Sequence, residues 1–149
     1  MYKRILLTLD GSIMSEQAIP VAAGLAKHFR AELYLLRVVN PLTKSYRTGL
    51  ATLSAIQNTE EQLRVLADDY LKDIAEKIRD ESRTVKIFSL IGVPYREIVL
   101  FSEQQEIDLI IMCTRGESGI SRWLLGSITD HVIRGSKIPV MVVPATETN

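Results

Sequence analysis

Ile5-Leu6-Leu7-Thr8-Leu9, closed by Asp10-Gly11-Ser12 and followed at once by a helical period, decides how this chain is read. A short apolar run bounded by turn and capping residues is a buried strand, and Ala18, Ala22, Leu25 and Phe29 then recur at the spacing of one helix face. Glu16, Lys27 and Arg30 fall off that face, as an amphipathic helix requires. Pro20 comes early in the helix, where the loss of a backbone donor is tolerated. Leu33 to Val39 returns as a second apolar run, which completes a strand, helix, strand unit.

The pattern repeats outward. Asn40 to about Thr59 is polar and reads as a long loop with a helical end. Leu63, Ala67, Tyr70, Ile74 and Ile78 mark one face of a long helix whose other face is charged and solvated. Val85 to Leu90 is a third strand. Gly92-Val93-Pro94 starts a helix with proline at an early position, and Ile98 and Phe101 face inward from it. Ile107 to Met112 is a fourth strand. Ser127-Ile128-Thr129-Asp130 resembles a capping box, with Ile128 and Val132 following on one face of the helix it opens, and Val140 to Val143 is the last strand. Five strands alternating with four helices imply parallel pairing with right-handed crossovers. The expected fold is a three-layer α/β sandwich: a five-stranded parallel sheet with helices on both faces, one domain over residues 1–149. In open sheets of this kind ligands bind beyond the carboxyl ends of the strands, where strand order reverses, which points to Asp10-Gly11-Ser12 and to the stretch after Met112.

Composition narrows the function. The chain has 149 residues, 18 Lys plus Arg against 18 Asp plus Glu, and 46% apolar residues, which fits an ordinary globular domain. Zero net charge argues against a surface that grips nucleic acid or anionic lipid. The balance is uneven, however: Glu60 to Glu81 carries an excess of four acidic residues and Arg115 to Lys137 an excess of two basic ones. One cysteine, Cys113, makes no internal disulfide and no zinc site by itself. With no secretory leader and no apolar run near the ~20 residues that span a bilayer, the expected address is cytoplasmic, with no membrane partner.

Several motifs are missing. There is no GxxxxGK phosphate loop, no GxGxxG after the first strand and no GxSxG elbow. His28 and His131 fall on helices away from any nucleophile motif and read as structural or surface residues. The positive feature is the loop Cys113-Thr114-Arg115-Gly116-Glu117-Ser118-Gly119, which runs on to Gly126-Ser127 and a helix. Glycines let backbone amides approach an anion, and a helix N-terminus supplies free N–H groups and about half a positive charge. The hydroxyls of Ser127 and Thr129 can add donors. On the residues alone two readings stay open: a phosphate site, or turns at Gly116 and Gly119 with a cap at Ser127.

Those residues resemble the universal stress protein family, in its single-domain, nucleotide-binding branch, an adenine-nucleotide alpha-hydrolase-like fold. The resemblance runs from Lys3-Arg4-Ile5-Leu6 and Asp10-Gly11-Ser12 to Pro139-Val140-Met141-Val142-Val143. The branch shows Gly, two residues, Gly, nine residues, then Gly-Ser or Gly-Thr. Here nine residues separate Gly116 from Gly126-Ser127, and Cys113 stands where the pattern has its first glycine. A thiol is small, so weakened rather than abolished binding is expected there; a small residue ending a buried strand is the plainer reading of Cys113.

The resemblance implies that Thr8 and Leu9 meet a base through their backbones and that Asp10 and Val38 lie by adenine and ribose. Met112 and Cys113 would end the strand beneath the nucleotide. Gly116, Gly126, Ser127, Ile128 and Thr129 would hold phosphates, with Arg115 and Arg122 as candidate charge partners. It implies ATP as ligand, with a magnesium ion able to accompany the phosphates, no protein metal site, no catalytic residue, and at most weak ATPase activity in a stress-response switch. The alternative is an interaction module of the same fold without nucleotide. A nucleotidyl transferase would carry a histidine-rich or SGG-type loop where Asp10-Gly11-Ser12 stands. A homodimer through the C-terminal strand, at Val140 and Val142, is also implied, since an open apolar edge invites pairing.

Overall fold

A computed structural model describes residues 1–42, 53–80, 84–114 and 125–146. The elements are β1 (Arg4–Thr8), α1 (Ile13–Glu16), α2 (Ile19–Phe29), β2 (Glu32–Val39), α3 (Leu53–Lys77), β3 (Val85–Ile91), α4 (Pro94–Gln104), β4 (Leu109–Cys113), α5 (Ser127–Gly135) and β5 (Val140–Val143). All strand pairings are parallel and the order across the sheet is β3-β2-β1-β4-β5. The chain therefore starts in the middle, winds out to one edge, then crosses to the other side. The reversal lies between β1 and β4.

Strand alternation sorts the core into two layers. Ile5, Leu7 and Leu9 of the first strand region, with Leu33, Leu35, Leu109 and Ile111, pack against Ala18, Ala22 and Ala26 and against Leu71 and Ile74 of α3. The alternate residues Leu6, Tyr34, Leu36, Ile110 and Met112 pack against Ile98 and Phe101 of α4 and Val132 of α5. Because side chains alternate with period two, each central strand needs apolar residues at every position, which is why they read as continuous apolar runs.

Two local expectations are corrected. The first helix is two pieces, α1 and α2, and Pro20 sits in the first turn of the second. A continuous helix would need a Pro20 N–H and would press its ring on the Glu16 carbonyl, so the chain restarts at Ile19. The capping box at Ser127 does not form. Gly126 is the N-cap, no side chain among the described residues caps the helix, and the Asp130 carboxylate instead pairs with Arg134 Nε at 3.0 Å. Ile128 is 39% exposed, while Val132 is fully buried. The expected loop of residues 40–59 turns helical at Leu53; residues 43–52 lie outside the described residues.

Candidate functional site

The β1–α1 turn is held by its own side chains. Asp10 Oδ1 accepts from the Ser12 N–H at 2.9 Å and from the Ser12 hydroxyl at 2.6 Å, and Ser12 Oγ accepts from the Ser15 N–H at 3.1 Å. This fixes the Asp10 carboxylate at the end of β1 and caps α1 in one arrangement. Gly11 has φ +87°, a left-handed conformation that costs an L residue strain.

Opposite, α5 begins immediately beyond β4. Gly126 N–H donates to the Thr114 carbonyl at 2.8 Å, and the Thr129 hydroxyl donates to the Cys113 carbonyl at 3.0 Å, so the first turn of α5 is bolted to the end of β4. Thr129 is buried, and its proton is spent on this bond rather than available to a ligand. Among the described residues the N–H groups of Ser127, Ile128 and Thr129 meet no protein acceptor, and they open on a cavity.

That cavity has a volume of about 540 Å³, in the range typical of small-molecule sites. It straddles the carboxyl ends of β1, β2 and β4, the reversal point of the sheet. Thr8, Leu9, Asp10, Val38, Met112, Cys113, Gly126, Ser127, Ile128 and Thr129 all line it. Gly116, Arg115 and Arg122 lie outside the described residues. Cys113 is buried, and its thiol donates to the Met14 carbonyl of α1 at 3.0 Å, which directs Sγ toward that helix.

Reasoning from sequence missed other lining residues. Arg37 and Asn40 enter from the end of β2, Ser15 from α1, Leu63 and Leu66 from α3, and Val93, Pro94 and Tyr95 from the start of α4. His131 is at the surface, as expected, but also lines the cavity; its ring stacks on Tyr95 with centroids 4.9 Å apart, and Nδ1 lies 2.6 Å from the Ser127 carbonyl. Leu66 is 62% exposed, and with Ile128 it leaves apolar surface at the mouth. The site thus combines an apolar and aromatic wall, a row of helix N-terminal donors and one fixed carboxylate. Such a set suits a ligand with a flat ring at one end and an anionic group at the other.

Comparison with known proteins agrees with this architecture. The sequence model of the Universal stress protein family matches residues 1–144. A curated universal stress protein of Methanocaldococcus jannaschii, MJ0531, is 36% identical over 143 residues, covering 96% of this chain and 82% of the relative. The solved structure of MJ0577, from the same organism, superposes with TM-score 0.80 at 29% identity over 99% of both chains. A universal stress protein of Archaeoglobus fulgidus, solved in complex with dAMP, shares the fold at TM-score 0.63 and 19% identity, over 95% of this chain and 97% of that one.

Proposed function

This chain belongs to the universal stress protein family, and from that premise we propose that it is an ATP-binding regulatory protein of the stress response, acting as a nucleotide-dependent switch or interaction module. The observation that carries the reading is the N-terminus of α5, with no side-chain cap among the described residues, opening on a cavity whose other walls are the Asp10 turn and the side chains of Val38, Leu63, Val93 and Tyr95. The N–H groups of Ser127 and Ile128 hold phosphate, Asp10 faces the ribose, and Thr8, Leu9 and Val38 border the base. Thr129 contributes its backbone N–H, its hydroxyl being engaged elsewhere. The dAMP complex of the Archaeoglobus fulgidus protein supports an adenine nucleotide as the ligand class.

Gly116, Arg115 and Arg122 belong to the proposed phosphate side by the spacing of their motif. Magnesium would ride on the phosphates and water, an arrangement that takes few protein ligands. Hydrolysis is slow or absent. Asp10 is already engaged by both donors of Ser12, so it is a positioning group more than a base. Cys113 in place of the motif glycine is compatible with binding, because its thiol is engaged by the Met14 carbonyl.

The protein acts in the cytoplasm as a homodimer, paired through β5 with Val140 and Val142 at the contact; β5 is an edge strand, and Met141 is 36% exposed. No helix among the described residues is long and apolar enough to cross a membrane. A ligand that binds only the folded state raises the unfolding temperature by mass action. The unfolding temperature is therefore expected to rise with millimolar ATP; an unchanged value would count against the nucleotide reading. A monomeric mass by light scattering would count against the dimer.

A further inference from the structure

Arg37 stands at the end of β2 and is one of the residues that line the cavity. Two contacts fix it. Its Cζ lies 5.0 Å from the centre of the Tyr70 ring, and that ring is anchored in turn by a 2.9 Å hydrogen bond from the Tyr70 hydroxyl to Glu16 Oε1. On the other side the guanidinium rests on Gly11, so closely that a Cβ there would lie 2.8 Å from Nη2. Glycine at residue 11 therefore serves two ends: it adopts φ +87° and it admits the arginine.

Among the described residues Arg37 makes no ion pair and no hydrogen bond, although Asp10 and Glu16 are in its neighbourhood. A half-buried guanidinium held on an aromatic face with its donors unspent is a preorganised anion site. It leans from β2 over the loop after β1, and the next strand in the sheet is β4, about 5 Å further, where α5 begins.

We propose that Arg37 binds the polyphosphate of the ligand together with the N-terminus of α5, so that the site discriminates by phosphate number. This rests on the nucleotide reading above for the identity of the rest of the ligand. Nothing in the sequence marks the residue, since its neighbours in β2 read simply as a buried strand.

The test measures affinities of wild type, Arg37→Met and Arg37→Gln for adenosine, AMP, ADP, ATP and inorganic tripolyphosphate. Removing a charged hydrogen-bond donor is expected to weaken ATP and tripolyphosphate about tenfold or more while leaving adenosine nearly unchanged. Equal losses for adenosine and ATP, or none, would overturn the proposal. Nucleotide binding that survives both substitutions unchanged would overturn it while sparing the nucleotide reading. Arg37-dependent binding of tripolyphosphate without any nucleotide binding would do the reverse, and no binding at all would overturn both. Should both variants fail to fold, the Arg37 Nε–H resonance of wild type, assigned with Arg37→Lys, reads the contact directly. It is expected to shift on adding tripolyphosphate, and an unmoved resonance overturns the proposal.

Discussion

The Thr129 hydroxyl donates to the Cys113 carbonyl at 3.0 Å, joining the first turn of α5 to the last residue of β4. Sixteen residues of sequence separate the two, and the bond sets where the open end of the helix points. Thr129→Val keeps the shape and deletes the donor. It is expected to cost about 1 kcal/mol in chemical denaturation and to weaken ATP by tilting the helix, whereas Thr129→Ser retains both. Full stability in the valine variant would show that the bond is not structural.

Gly126 has φ −56° and ψ 146°, a backbone that any residue accepts. Gly126→Val is therefore expected to stay folded, losing about 1 kcal/mol from a poorer N-cap, while its branched side chain blocks phosphate from the adjacent N–H groups. Wild-type ATP affinity in this variant would mean that phosphate lies elsewhere.

Gly11→Ala introduces a Cβ at φ +87° and against the Arg37 guanidinium. A destabilisation of about 1–3 kcal/mol follows from the backbone alone. Displacement of Arg37 should also reduce ATP affinity more than adenosine affinity. A variant as stable as wild type would remove the argument for a strained glycine.

At the opposite, amino-terminal end of the sheet, Lys86 Nζ lies 3.0 Å from Glu32 Oε1 and the Tyr34 hydroxyl donates to Glu32 Oε2 at 3.0 Å. The hydrogen bond from Lys86, and then that from Tyr34, hold the Glu32 carboxyl below its ordinary value of 4.5. A depressed carboxyl contributes stability that is present above its unfolded value and lost as pH falls through the folded one. Stability is thus expected to drop below about pH 4.5 by a step that Glu32→Gln removes. The pair is partly exposed, so the step is small and shrinks with salt. An identical acid limb in the variant would assign the effect to other groups.

Much of this was legible in the sequence, for reasons that differ by element. Strands β1, β2 and β4 are buried on both faces, so Ile5 to Leu7, Leu33 to Leu36 and Leu109 to Met112 had to be apolar throughout. The break before Ile19 was not legible, because it depends on how a proline ring meets the carbonyl four residues earlier. Ser127 had the right neighbours for a capping box, yet the Gly126 N–H bond to Thr114 moved the cap back by one residue. Arg37, Tyr95 and His131 reach the cavity only because β2, α4 and α5 converge there. No spacing along the chain announces a convergence of that kind.

The central claim is that the cavity between Asp10 and the N-terminus of α5 binds an adenine nucleotide. Calorimetric titration of the nucleotide-stripped protein with ATP, with and without magnesium, tests it most directly. The account predicts saturable heat at a stoichiometry near one per chain, lost in Gly126→Val. No measurable heat at millimolar ATP, from protein whose denaturation also releases no co-purified nucleotide, would contradict it.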